Sequence, residues 1–247
     1  MTEGNSGPGV IALVGSGEYL PAMLDIEREL FEAGVARGKD PVYVQVPLGA
    51  GRESADRINY WQQLGKQQAD RLGVEQRFVP VLNRDHAEDQ AFADALANAA
   101  LIYFSGGDPR HLAESLGGTT VGAALRSAWE SGSSVAGCSA GAMALGPTVP
   151  HVRGIPHHRT IGLSLVPHIE VLPHYDKYFR WASDGFMHAL LGNDNGATIL
   201  GIDENTALVH REGDDWQVLG HGKVHVLKGG PTASYPAGKY LTLPQPR

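Results

Sequence analysis

The sequence predicts an α/β fold: a doubly wound, mainly parallel sheet followed by a C-terminal antiparallel meander. Three observations carry this expectation. Short, nearly continuous apolar runs such as Val10-Ile11-Ala12-Leu13-Val14 and Leu101-Ile102-Tyr103-Phe104 suit parallel strands buried on both faces. Between them lie segments whose apolar residues recur at helical spacing. Towards the C-terminus the runs are separated only by turn residues, as in hairpins.

Taken in order, Val10 to Val14 is the first strand. It ends at Gly15-Ser16-Gly17-Glu18-Tyr19-Leu20, and a helix follows to about Gly34. A dinucleotide loop would need a third glycine where Leu20 stands and an acidic residue closing the next strand, Val42 to Pro47; neither is present. Glu18 lies just past a strand's carboxyl end, where α/β proteins place ligands. It equally suits the start of a helix, where an acid complements the dipole. Residues 52 to 73 carry Ile58, Trp61, Leu64 and Leu72 at helical spacing, so they predict a surface helix. Arg77 to Leu82 is the third strand and Asp89 to Ala100 an Ala-rich helix. The fourth strand, Leu101 to Phe104, breaks into Ser105-Gly106-Gly107-Asp108-Pro109, and a helix from about Thr119 to Gly132 leads to the fifth.

That fifth strand enters Val135-Ala136-Gly137-Cys138-Ser139-Ala140-Gly141, a G-x-S-x-G turn opening onto helix-forming residues. Side chains two residues either side of so sharp a turn would collide, so glycine flanks it. Ser139 then stands where free N–H groups favour an oxyanion. The Ser105-Gly106-Gly107 turn ends the preceding strand, and such sheets take one oxyanion donor from a neighbouring Gly-rich loop. Ala140 and Gly107 are the candidate donors, although two glycines also satisfy a plain turn.

Gly146 to Pro173 is rich in proline and carries His151, His157, His158 and His168, which predicts a long irregular excursion. Val171 to Arg180 follows, then a helix to about Leu191. Thr198–Asp203, Ala207–His210, Trp216–Leu219 and Lys223–Leu227 form the predicted meander on the sheet edge. The expected organisation is a flexible N-terminus at 1–8, a single α/β domain at 9–230, and a loosely packed tail at 231–247.

The totals narrow the function. With 247 residues, 42% hydrophobic, the chain can bury one large core. A net charge of −7 with no basic tract argues against nucleic acid as a partner. No apolar stretch suggests a signal peptide or a membrane span, and the single cysteine fits a reducing compartment, so a cytoplasmic location is expected.

Four segments together resemble the dipeptidase E and cyanophycinase family of serine peptidases. They are Tyr103 to Asp108, Gly137 to Ala142, Pro173-His174-Tyr175, and Gly201 to Leu208, in the family's order. The resemblance implies a flavodoxin-like three-layer αβα sandwich similar to class I glutamine amidotransferases. It also implies a cofactor-independent hydrolase acting at aspartyl bonds, in Asp-X dipeptides or in β-aspartyl-arginine units of a storage polymer. It implies Ser139 as nucleophile, His174 as base, and Gly107 and Ala140 as the oxyanion hole.

The chemistry of the residues agrees. A serine hydroxyl needs an adjacent imidazole to take its proton, and that imidazole needs a carboxylate to hold its tautomer. In the family the acid lies between serine and histidine, where this chain offers only Glu170. Asp176 is the preferred third member, since the amidotransferases use a His-x-Glu arrangement and this chain has His174-x-Asp176. Glu170, Glu204, Glu18 or no acid at all remain alternatives. Asp108 and Arg180 are the candidate substrate-binding residues, an arginine being able to pair bidentately with an aspartyl carboxylate. Arginines that follow the histidine in cyanophycinases are absent here, with Tyr178 and Ser183 at two of the positions, which argues against the polymer.

Cys138 reads as a small buried residue. The histidine-rich excursion contains no H-E-x-x-H and no diagnostic spacing, so neither metal nor other cofactor is expected. The favoured function is a serine hydrolase taking a small peptide with an acidic residue, with no membrane partner. The alternatives are a silent member that binds a small acidic ligand and, third, a metal-dependent hydrolase. Whether two copies pair as a homodimer is left open.

Overall fold

A computed structural model describes residues 7–151, 158–180, 182–192, 196–213 and 215–243. The chain runs β1 (Ile11–Val14), α1 (Leu24–Ala36), β2 (Asp40–Val46), α2 (Ala55–Leu72), β3 (Glu75–Phe78), α3 (Arg84–Ala87), α4 (Gln90–Leu96) and β4 (Ala99–Phe104). It continues through α5 (Pro109–Leu116), α6 (Thr120–Glu130), β5 (Ser134–Cys138) and α7 (Ala140–Leu145). Next come β6 (Thr148–Pro150), β7 (Arg159–Ile161), β8 (Ile169–Pro173), a π-type turn over Tyr175–Phe179 and α8 (Asp184–Leu191). The last elements are β9 (Thr198–Ile202), β10 (Thr206–His210), β11 (Asp215–Gly220), β12 (Lys223–Lys228), β13 (Ala233–Pro236) and β14 (Tyr240–Thr242).

The main sheet has the order β14-β11-β10-β1-β5-β4-β2-β3. Its β1, β5, β4, β2 and β3 are mutually parallel, and β10, β11 and β14 add to it antiparallel. Alternation along β1 shows why its apolar run is unbroken. Ile11 and Leu13 join the core under α3 to α7, whereas Val10, Ala12 and Val14 pack under α1 and α2. The doubly wound α/β sandwich is thus as the sequence predicts, with antiparallel strands at its C-terminal edge.

Two details differ from the expectation. The meander is not one sheet. β9 and β12 leave it and join β8 and β13 in a second sheet of order β13-β12-β9-β8, where β9 lies parallel to β8 with Pro173 opposite Ile202. All five β9 residues are buried, which suits a strand covered on both faces better than an edge hairpin. The segment after Pro231, expected as a tail, supplies β13 and β14. Residues 1–6 of the expected flexible N-terminus, and 244–247, lie outside the described residues. Among the described residues no helix is long and apolar enough to cross a membrane.

One acid lies inside the α1 layer. Glu27 is 1% exposed, accepting the Tyr43 hydroxyl at 3.0 Å and the Tyr19 N–H at 3.3 Å. Burial outweighs these bonds and pushes its carboxyl from 4.5 up to about 8. A raised carboxyl value means that the folded state holds the proton more tightly than the unfolded chain, so stability falls as pH rises from about 5 towards 8. The loss is at most roughly 5 kcal/mol. Thermal midpoints measured across that window should drop with pH, and Glu27→Gln should flatten the slope. An equal slope in the variant would assign the dependence to other groups.

Candidate active site

The sharp turn between β5 and α7 holds Ser139 at φ 50°, ψ −107°, a strained conformation for a residue with a side chain. Its glycines are demanded by contact: a Cβ on Gly137 would lie 2.5 Å from the Gly141 carbonyl carbon, and one on Gly141 would lie 2.7 Å from the Phe104 oxygen. The turn therefore lifts the hydroxyl above the carboxyl ends of the parallel strands.

His174 arrives from the second sheet. It follows β8 directly, at φ 50°, and heads the π-type turn. Its Nε2 lies 3.0 Å from Ser139 Oγ, and its Nδ1 lies 2.8 Å from Glu204 Oε1. A carboxylate only accepts, so Nδ1 carries the proton and Nε2 is left to accept from the serine hydroxyl. The hydrogen bond from His174 holds the Glu204 carboxyl below its ordinary value; burial opposes this shift, and the neighbouring Lys177 ammonium reinforces it.

The carboxylate at Nδ1 is thus Glu204 and not Asp176. Asp176 Oδ1 instead accepts the Glu204 backbone N–H at 2.9 Å, so it holds the loop that carries the acid. The cause is the parallel pairing of β8 and β9: with Pro173 opposite Ile202, the residues leaving both strands emerge side by side. Glu170 is fully buried and faces Arg159 (3.5 Å) and Thr148, away from the imidazole. Glu18 lies beneath the turn, bonded to Gly106 and Cys138.

Ser139 and His174 open into a cavity of about 700 Å³ that Gly107, Asp108, Arg110, Ala140, His151 and Tyr178 also line. Gly107 has φ 127°, open to glycine alone, and a Cβ there would lie 2.2 Å from the Gly49 oxygen. Among the described residues, neither the Gly107 nor the Ala140 N–H has an acceptor. Asp108 caps α5, its Oδ1 accepting the N–H groups of Arg110 (3.0 Å) and His111 (3.2 Å), and it pairs with Arg52 at 3.6 Å and Arg110 at 3.9 Å. Arg180 closes the π-type turn, exposed and outside the cavity lining. Among the described residues, the arginine that lines the cavity is Arg110, unnoticed in the sequence because nothing marks it off from a surface helix charge. His151 is kept towards its neutral form, by burial first and then by the positive charges of Arg110, His158 and Arg159.

Cys138 is buried, and its thiol is pushed up by burial and then by the Glu18 charge, as befits an inert side chain. Among the described residues no three His, Cys, Asp or Glu side chains are placed to hold a metal ion. His157 lies outside the described residues.

The fold and its likenesses define the class as an α/β peptidase. A crystal structure of a peptidase from an acI-B1 Actinobacterium is 48% identical with a TM-score of 0.91, over 96% of this chain and 98% of that one. A Listeria monocytogenes EGD-e protein provisionally named a peptidase E superposes with a TM-score of 0.60 over 90% of this chain and 100% of that one. At 18% identity it speaks for the fold alone. No curated protein matches the chain. The model of peptidase family S51 matches residues 13–219, and the chain belongs to that family.

Proposed function

We propose that the chain is a serine peptidase that cleaves a peptide or isopeptide bond beside an aspartyl residue through an acyl-enzyme at Ser139. The observation that carries this is the unbroken line from Ser139 Oγ through the His174 ring to Glu204, at 3.0 and 2.8 Å, opening on the cavity. Ser139 Oγ attacks the scissile carbonyl carbon as its proton passes to His174 Nε2. The carbonyl oxygen, now an anion, takes the free N–H groups of Gly107 and Ala140. The C–N bond breaks as His174 returns the proton to the leaving nitrogen. Water, deprotonated by the same ring, then hydrolyses the ester and frees Ser139.

Arg110 supports an acidic substrate, since it brings a guanidinium that can pair with a carboxylate to the rim of the cavity. Asp108, 3.9 Å from the arginine, gives the same cavity a carboxylate that suits a substrate ammonium. The silent-member alternative drew on the missing loop acid, and Glu204 stands where that acid is needed.

A fluorophosphonate probe together with a dipeptide library tests the proposal. Labelling at Ser139 and preferential hydrolysis of α- or β-aspartyl dipeptides are expected. A protein that resists labelling overturns the serine mechanism. A labelled protein that prefers neutral dipeptides overturns the substrate class alone.

A further inference from the structure

The loop Gly15 to Leu20 takes no part in the steps above, yet it touches the elements that carry them. Glu18 Oε1 accepts the Gly106 N–H at 2.9 Å, and Oε2 accepts the Cys138 thiol at 2.9 Å. The next residue, Tyr19, is 1% exposed and bonds Ser105 Oγ through its hydroxyl at 2.8 Å. Tyr19 sits at φ 62°, a backbone state that persists only where surroundings over-determine it. Gly15 N–H reaches the Thr206 oxygen at 2.9 Å, beside the loop of Glu204.

Each group that Glu18 holds is the immediate neighbour of a reacting element. Gly106 precedes Gly107, and Cys138 precedes Ser139 and Ala140. Two consecutive glycines have wide backbone freedom, so their peptide planes need outside partners to stay aimed. Among the described residues, the other backbone hydrogen bonds of this loop are Ser105 N–H on the Val46 oxygen at 3.2 Å and Asp108 N–H on the Gly49 oxygen at 2.7 Å. Neither fixes the Gly106 peptide. Cys138 remains a thiol donor because burial disfavours its thiolate.

We propose that Glu18 is a positioning residue for transition-state binding: its single carboxylate ties the Ser105–Gly106 peptide, next in the chain to the one that carries the Gly107 N–H, to the strand end that presents Ser139 and Ala140. This role rests on the oxyanion assignment of Gly107 and Ala140 made above. The requirement is for an acceptor of the right length, and charge is secondary.

Three variants test it, with hydrolysis of aspartyl p-nitroanilide and the rate of fluorophosphonate labelling as readouts. Glu18→Ala should lower kcat and the labelling rate about 10- to 100-fold with KM within about twofold, less than loss of a whole donor. Glu18→Gln keeps an acceptor oxygen for the Gly106 N–H and turns its NH2 to the Cys138 sulfur, which can accept weakly, so it should stay within about threefold of the parent. Glu18→Asp keeps the charge but falls one methylene short, so it should fail as Glu18→Ala does. It also carries the test if the alanine variant does not fold. Parent-like rates in Glu18→Asp, a change confined to KM, or a glutamine variant as impaired as the aspartate one would each overturn the proposal. An unlabelled parent protein would overturn the serine mechanism and this role together, whereas equal labelling of parent and Glu18→Asp overturns this role alone.

Discussion

Ser139→Ala is expected to lower kcat by about four orders of magnitude or more and to abolish fluorophosphonate labelling, with the fold intact. The side chain stands in the cavity wall, and the residue is only a hydroxyl larger than alanine, so little packing changes. His174→Ala should fall by a similar factor, because the hydroxyl at 3.0 Å then has no base. The double variant discriminates best. If the two residues act as one device, removing both costs scarcely more than removing either, and residual turnover comes from the cavity and the Gly107 and Ala140 donors. Effects that multiply would mean that the two side chains act independently and would rule out proton transfer between them. Single-turnover measurements with aspartyl p-nitroanilide, alongside thermal midpoints, check the expectation.

The parts of this site built from neighbouring residues were legible in the sequence. The elbow is local as a pattern: Gly137, Ser139 and Gly141 mark a sharp strand-to-helix turn, even though the need for glycine at 141 comes from Phe104 on the neighbouring strand. The Gly106-Gly107 turn is local too, and the strand order β1-β5-β4 brings it beside the elbow. His174 could be placed because it follows an apolar strand and sits in a family-like Pro-His-Tyr run. The acid could not. Asp176 is two residues from the histidine and looked nearest, but the π-type turn at Tyr175–Phe179 carries it towards the Glu204 N–H. Glu204 is thirty residues away in sequence, and only the parallel pairing of β8 with β9 makes it adjacent. Periodicity shows that Thr198 to Ile202 is a strand, yet it cannot say which strand it pairs with. Assigning it to an edge meander hid the acid. The signal available was its nearly unbroken apolar run, Ile199 to Ile202, which suits a covered parallel strand better than an edge. Glu18 was visible as an acid at a strand's carboxyl end, but its partners come from two other loops that no spacing reveals.

The choice between the two acids gives the second large expected effect. Glu204→Gln should lower kcat by about three to four orders of magnitude while leaving KM within a few-fold. An amide at 2.8 Å from Nδ1 can present its NH2, which favours the tautomer with the proton on Nε2, and that ring cannot accept from Ser139. The amide also withdraws the charge that steadies the imidazolium formed during attack. Asp176→Ala should be far milder. It removes the acceptor of the Glu204 N–H at 2.9 Å, a net contribution near 1 kcal/mol, so kcat should fall by no more than about tenfold. Lys177→Met gives a control on the same carboxylate, since its ammonium lies 3.4 Å from Glu204 but touches neither ring nitrogen. If Asp176→Ala instead matches Glu204→Gln, the loop that Asp176 holds is as decisive as the acid itself. If Glu204→Gln retains near-parental kcat, the imidazole is oriented by its strained backbone alone, and Ser139 and His174 function as a dyad.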